Sequence, residues 1–250
     1  MLVMGILNVT PDSFADGGRH NEFEAAVARG IQMIAEGVDI IDIGGESTRP
    51  GADRVSQDEE IARTIPVIAE LAKHGVKISI DTMRASTAEA AINAGASIIN
   101  DVSGGLADAA MLQTAARLQV PYIAMHWRGQ SKDMNSKAIY GDVVNDVIAE
   151  LNERIEAALD AGIAKDKLII DPGIGFAKDA EHNWAIIDSI DRFVALGYPV
   201  LVGASRKRFL GGDSPDEREA ATIELTKRLG TTGVWAVRVH SVKPHKEVLS

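Results

Sequence analysis

The chain has 250 residues, 46% of them hydrophobic, no cysteine and a formal net charge of −10. That length is enough for one large core, and the missing thiols exclude disulfides, thiol catalysis and zinc–thiolate sites while suiting the cytoplasm. The acidic balance repels nucleic acid and anionic membrane, so an anionic substrate needs a local cluster of positive groups.

No apolar run approaches the roughly 18 residues of a membrane span. Met1 leads within one residue into a strand-like segment, which leaves no room for a signal peptide. A pattern of helix, glycine, apolar run and polar cluster then repeats along the chain. Residues 2–7 read as a first strand ending at Asn8, and Phe23, Ala26, Val27, Gly30, Ile31 and Ile34 recur at helical spacing. Gly37 ends that helix. Val38, Ile40, Ile41 and Ile43 form a β-branched strand covered on both faces. Its end opens into Gly44–Gly45 and the polar run Glu46, Ser47, Thr48, Arg49, Pro50, Gly51.

Ser56 and Glu59 pair as a capping box ahead of Ile61, Ile65, Ile68 and Leu71, and residues 76–80 lead to Asp81. A second box, Ser86 with Glu89, opens a helix ending at Gly95, after which residues 97–99 reach Asn100 and Asp101. A helix over about 108–119 leads to the strand 121–125 and His126. The apolar spacing from Val143 to Leu159 predicts a long helix closing at Gly162, and residues 167–170 reach Asp171-Pro172-Gly173. One helix around Trp184, Ile187 and Val194 ends at Gly197, and residues 199–202 reach Ser205-Arg206-Lys207. A third box, Ser214 with Glu217, starts the next helix, and residues 234–239 carry Arg238 and lead to His240. Residues 244–249 remain for the last helix.

Eight such alternations without a linker predict an α/β fold, a single (β/α)8 TIM barrel of eight parallel strands forming one domain over 1–250. An open doubly wound sheet is the alternative. No P-loop or dinucleotide fingerprint marks any strand–helix turn.

In such a barrel the functional groups stand at the carboxyl ends of the strands. Those positions hold Asn8, the 46–50 loop, Asp81, Asn100, His126, Asp171, Lys207, Arg238 and His240. Asp81, Asn100 and Asp171 could each serve a turn, and Lys207 could be a solvated lysine. Arg238 and His240 lie two apart on a strand and face the same way, with Val237 and Val239 supplying the packed face. Asp81, Asn100 and Asp171 suit a flat nitrogen heterocycle, whereas Asn8, Arg49, Arg238 and His240 suit a phosphate or diphosphate, with Asn8 able to offer an oxygen to Mg²⁺. By type, Lys207 fits either group.

Several motifs carry a more specific resemblance: M-G-I-L-N-V-T-P-D-S-F at 4–14, D-I-G-G-E-S-T-R-P-G at 42–51, S-I-D-T at 79–82 and N-D-V-S-G-G at 100–105. D-P-G-I-G-F at 171–176, S-R-K at 205–207 and R-V-H at 238–240 follow in order. The chain resembles the dihydropteroate synthases of the pterin-binding family from end to end, and M-H-W-R-G at 125–129 looks most like their actinobacterial branch. The resemblance implies condensation of 6-hydroxymethyl-7,8-dihydropterin diphosphate with 4-aminobenzoate in folate biosynthesis, with Mg²⁺, by a cytoplasmic homodimer that sulfonamides would target.

It further implies that Asp81, Asn100, Asp171 and Lys207 hold the pterin and that Asp81, Asp171 and Lys207 carry the chemistry. Asn8 would meet Mg²⁺, and with Arg49, Arg238 and His240 the diphosphate. Thr48, Pro50, Phe176 and Lys207 would border the aminobenzoate, while Asp16 belongs to the first loop. Two departures stand out: Ala15 in place of the usual serine, and Ser241 in place of the aspartate usual after R-V-H, which bears on the anion site. A corrinoid-type pterin methyltransferase domain shares the Asp/Asn/Asp set, but the Ser-Arg-Lys run and the Thr-Arg-Pro-Gly loop argue against it. A non-catalytic pterin-binding paralogue is the other rival.

Overall fold

The computed structural model describes residues 1–10, 18–46, 55–130 and 134–250. Eight parallel strands alternate with helices, in the order β1 (Leu2–Asn8), α1 (Gly18–Ala35), β2 (Ile40–Gly44), α2 (Gln57–Ala72), β3 (Lys77–Asp81) and α3 (Ala85–Asn93). The chain continues through β4 (Ile98–Asp101), α4 (Met111–Leu118), β5 (Tyr122–Met125), α5 (Val143–Asp160), β6 (Leu168–Asp171), α6 (Ala180–Asp188) and α7 (Ile190–Val194). It ends with β7 (Leu201–Val202), α8 (Glu217–Leu229), β8 (Ala236–Val239) and α9 (Lys243–Glu247). Each strand pairs with its sequence neighbour from β1 to β6, and β1 also pairs with β8, which pairs with β7. A bridge between Ile170 and Val200, with Ile170 N–H donating to the Pro199 carbonyl at 2.9 Å, links β6 to β7 and closes the ring. This is the (β/α)8 barrel.

Strand alternation sorts the core into two parts. The outward row, with Val3, Ile41, Ile43, Ile78, Ile80, Ile99 and Ile170, packs against the helices in the main cluster. The inward row begins with Met4, Ile40, Ile98, Ile123, Ile169, Leu201 and Ala236, which form a separate apolar cluster inside the barrel. β2, read as covered on both faces, is buried along its whole length.

Three local readings need correction. Ser56 caps α2, its hydroxyl accepting from Glu59 N–H at 3.2 Å, and Ser214 likewise accepts from Glu217 N–H at 3.2 Å. Ser86, however, lies inside α3, which starts at Ala85 and has no cap from its own N-cap side chain. Asp108, from the next loop, accepts from Ala85 N–H at 2.8 Å instead. A cap supplied from 23 residues away has no local signature. The helix read around Trp184 and Val194 is two, α6 and α7, interrupted at Ser189 with φ −111° and ψ 23°. Helix α4 is shorter than the predicted 108–119, because Asp108 turns back on Ala110 N–H at its start and Gln119 is left-handed at its end.

Candidate active site

The inward rows change character within two residues. Along β2 the row runs from Ile40 to Asp42, along β4 from Ile98 to Asn100, along β6 from Ile169 to Asp171 and along β8 from Ala236 to Arg238. On β3 it passes through Ser79 to Asp81, which pairs in register with Asn100 and Gly44. On β1 it reaches Asn8, the register partner of Gly44. Most residues predicted for the heterocycle and the phosphate are therefore brought to one end of the barrel.

Arg238 is the hub of this layer. Its Nε donates to Asp42 Oδ2 at 2.6 Å and its Nη2 to Asp81 Oδ2 at 2.7 Å. Asn100 Nδ2 donates to the same Asp42 oxygen at 3.1 Å. Asp42 is fully buried, and its other oxygen and the hydroxyl of its register partner Ser79 have no hydrogen-bond partner among the described residues. One guanidinium thus serves two buried carboxylates. Burial pushes the Asp81 carboxyl up to about 7, with Arg238 pulling the other way and Asp42 adding to the rise. The two acids hold Arg238 above its ordinary value against the effect of burial.

Asp171 and Lys207 form the opposite wall. Burial raises the Asp171 carboxyl, opposed by a 2.7 Å hydrogen bond from Gly173 N–H and by the charges of Lys207 and Arg238. Burial lowers Lys207 to about 8, against the pull of Asp171. The Lys207 ammonium donates to the Ile174 carbonyl and lies 4.6 Å from the centre of the Phe176 ring. Met83, Val102 and Met125 form a third apolar cluster, with Trp127 and Phe176 packed against it. Polar groups that read ring edges therefore stand beside an apolar wall suited to a ring face.

The anion corner lies beyond β7 and β8, where barrels commonly bind phosphate. His240 Nδ1 is 3.0 Å from Ser205 Oγ, and the same hydroxyl accepts from His240 N–H at 3.3 Å. The pair of contacts fixes the imidazole beside the Ser205 hydroxyl, where a ring N–H can donate to an anion. Ser241 turns away from this corner. Its hydroxyl donates to Glu219, which also pairs with Arg206 at 2.6 Å and lies 3.3 Å from the fully buried His245. The serine thus belongs to a network behind the site that supports Arg206, a residue at φ +57°.

His126, named from its strand end, is buried and faces away from the Arg238 hub. Its Nδ1 lies 2.9 Å from Lys178 Nζ and its Nε2 2.9 Å from Glu150 Oε2. Sequence reasoning assigned no part to Asp42, Ser205, Lys178 or Glu150. Asp42 carried a usable signal, a carboxylate in phase with Ile40 inside an apolar run. Another ion cluster lies at the β2–α2 connection, where Arg84 bonds Glu60, Glu46 at 2.7 Å and the Val55 carbonyl at 2.5 Å. Thr48, Arg49, Pro50, Ala15 and Asp16 lie outside the described residues.

The described residues contain no group of three or more His, Cys, Asp or Glu side chains able to hold a metal. Asn8 still fits Mg²⁺, because that ion keeps most of its waters and takes few protein ligands beside a substrate's phosphates. The Asn8 amide is half-exposed on the inward row at the barrel mouth and makes no side-chain hydrogen bond with the described residues.

The fold and this end of the barrel define the class: residues 4–240 match the family described as pterin binding enzyme, and the chain belongs to that family. The dihydropteroate synthase of Mycobacterium leprae is 47% identical over 99% of this chain and 90% of that protein. The dihydropteroate synthase of Xanthomonas albilineans, solved with 4-aminobenzoic acid, superposes with a TM-score of 0.93 at 44% identity, covering 99% of this chain and 90% of that one. The same bacterium's enzyme in complex with 7,8-dihydropteroate gives 0.90 at 41% identity, with the same coverage.

Proposed function

We propose that this chain is a dihydropteroate synthase that joins 6-hydroxymethyl-7,8-dihydropterin diphosphate to 4-aminobenzoate and releases diphosphate. The observation that carries the reading is the gathering of Asp81, Asn100, Asp171 and Lys207 at the carboxyl end of the barrel, from β3, β4, β6 and the segment after β7, beside Met83, Val102 and Met125. In this reading the Asp81 and Asp171 carboxylates accept from the ring N–H and amino groups, Asn100 and Lys207 complete the ring's edge, and the apolar wall meets its face. Asn8, Arg49, Arg238 and His240 receive the diphosphate. Thr48, Pro50, Phe176 and Lys207 border the aminobenzoate.

Diphosphate is already a good leaving group, so the task is to stabilise charge that separates across the breaking C–O bond. Arg238 and a ring N–H of His240 favour the departing anion. The Asp171 carboxylate favours positive charge on the ring and methylene carbon, and burial strengthens that interaction. The arylamine is neutral at pH 7 and attacks through its lone pair, so no strong general base is needed. Mg²⁺ bound at Asn8 would neutralise the diphosphate oxygens.

The same reading makes the protein a cytoplasmic homodimer and a sulfonamide target. No helix among the described residues is long and apolar enough to cross a membrane; sedimentation of the purified protein at micromolar concentration tests the dimer. For the activity itself, diphosphate release should require both substrates. Release that ignores aminobenzoate, or none at all, removes the reading.

A further inference from the structure

Lys178 lies behind the active site, where it bonds the backbone of Phe176 and Gly173 and its charge favours the Asp171 carboxylate. Only 8% of its surface is exposed, and its three donors are all used: His126 Nδ1 at 2.9 Å, the Phe176 carbonyl at 3.0 Å and the Gly173 carbonyl at 3.1 Å. Burial lowers the Lys178 amine to about 7 against the pull of Asp171; its ammonium form has no lone pair, so with it His126 Nδ1 accepts and His126 Nε2–H donates to Glu150. Burial and the charge of Lys178 keep the imidazole neutral, lowering it to about 4. Glu150 is in turn held by Arg128 Nε at 3.1 Å to both oxygens, and that guanidinium stacks 3.8 Å over the Tyr140 ring.

The turn that Lys178 grips is an unusual one. Gly173, Gly175 and Ala177 have φ of +68°, +77° and +48°. For alanine this is a strained conformation. A Cβ on Gly173 would come within 2.4 Å of the His126 carbonyl, so the turn also sits hard against the end of β5. It is held from outside as well, by Asn183 Oδ1 on Gly175 N–H at 2.6 Å and by Tyr140 OH on the Ala177 carbonyl at 2.9 Å. Toward the site the turn presents three things: Gly173 N–H to Asp171, the Ile174 carbonyl to Lys207, and the Phe176 ring.

We propose that Lys178, oriented by His126 and Glu150, is a positioning residue for the reaction, clamping the 173–177 turn so that Asp171, Lys207 and Phe176 meet the substrates in register. The inference rests on the synthase reading for its kinetic part, and on the geometry alone for its structural part. A buried ammonium that joins two carbonyls of one strained turn to an imidazole–carboxylate pair does what a backbone ladder does elsewhere in the barrel. Without it, those acceptors and the turn have no common anchor. Asp81 and Asn100 come from β3 and β4 and do not depend on the clamp, so the pterin keeps two of its four contacts while both Phe176 and Lys207 shift against the aminobenzoate; loss of the clamp should therefore weaken aminobenzoate more than the pterin.

The test uses Lys178→Met and the milder Glu150→Gln in the full chain. Lys178→Met should lower kcat at least 30-fold and raise KM for aminobenzoate at least fivefold, leaving KM for the pterin diphosphate within threefold, since small misplacements of reacting groups cost large factors. Glu150→Gln should show the same split at three- to tenfold in kcat. Amide hydrogen exchange of a peptide spanning 170–180 should accelerate at least tenfold in Lys178→Met, while peptides from β1 to β4 keep their protection. Calorimetric stoichiometry with a pterin ligand gives the folded fraction for each variant. A kcat within threefold of wild type in both variants overturns the proposal. So does a loss accounted for by a smaller pterin-competent fraction, or one that raises both KM values equally. If Lys178→Met does not fold, an unchanged Glu150→Gln overturns it. If the wild-type chain itself releases no diphosphate, the synthase reading fails separately, and unchanged exchange over 170–180 then overturns the clamp on its own.

Discussion

The two ends of the barrel interior use the same strands and opposite chemistry. At the amino end, Met4, Ile40, Ile98, Ile123, Ile169, Leu201 and Ala236 pack together with no polar atom among their side chains. Burial of each large side chain there contributes about 1.5–3 kcal/mol. Two residues further along the same inward rows stand Asp42, Asn100, Asp171 and Arg238, buried groups whose desolvation is costly. Among the described residues Asp42 Oδ1 and Ser79 Oγ are left without partners, and one guanidinium is shared between two acids. An interior built for stability alone would continue the isoleucines. The carboxyl layer is instead arranged for a ligand, and the amino layer offsets its cost.

The comparison breaks most sharply at Asp171. Asp171→Asn keeps an acceptor for Gly173 N–H and removes the negative charge that favours a cationic transition state. Turnover should fall about 10³-fold, or about 4 kcal/mol in the barrier, while pterin affinity changes less than tenfold. Single-turnover rates and pterin calorimetry on one preparation check it, and a near-normal kcat assigns the charge no role.

The amino layer should respond in the opposite sense. Leu201→Ala removes a fully buried side chain and leaves a cavity, costing about 3 kcal/mol. In a protein of this size that lowers the unfolding midpoint by about 6–12 °C. At a temperature where the variant is folded its kcat should match wild type. A lost kcat with a normal midpoint would show that the two layers are not separable.

The barrel is legible in the sequence because its periodicities are local. Glycines end helices at Gly37, Gly75, Gly95 and Gly162, all at positive φ, and β-branched runs supply the strands. The Asp81, Asn100, Asp171 and Arg238 set is legible from its strand-end positions. What escapes is long-range. The Asp108 cap on Ala85, the Ser205 hydroxyl that orients His240 across 35 residues, and Lys178 reaching 52 residues back to His126 have no spacing rule. By its type and place Arg238 suits a diphosphate; its grip on Asp42 and Asp81 adds that it also joins the acids of β2 and β3. Asp42 is hidden by the apolar strand around it, although its parity with Ile40 turns it inward.

Within the carboxyl layer the anion corner and the heterocycle wall should also separate. His240→Ala removes the imidazole beside Ser205 and should weaken diphosphate about 10- to 100-fold, the range of a hydrogen bond to a charged group. Binding of the hydroxymethyl pterin without its diphosphate should change less than threefold. Equal losses for the two ligands in calorimetric titrations would place His240 outside the anion corner.

The smallest effect tests the sharing of Arg238 directly. Burial first, and the nearby Asp42 charge besides, raise the Asp81 carboxyl from 3.8 to about 7 against the pull of Arg238. Between about pH 4 and pH 7 the folded protein therefore keeps a proton that the unfolded chain has lost. The associated stability is fully present below the unfolded value and disappears as pH rises through the folded one. An amide at this position has no such proton to lose, so Asp81→Asn should gain stability relative to wild type between pH 5 and pH 8. Over that interval the shift bounds the gain at about 3 kcal/mol, and relaxation around Arg238, which keeps Asp42, should reduce it to about 1–2 kcal/mol. Urea unfolding of both proteins at the two pH values measures it. A difference that stays constant, or grows toward acid, would mean that Arg238 satisfies both carboxylates and that the carboxyl layer carries no charge in excess. A gain at pH 8 together with a weakened pterin complex would show the same carboxylate costing stability in the empty barrel and serving the ligand when it is bound.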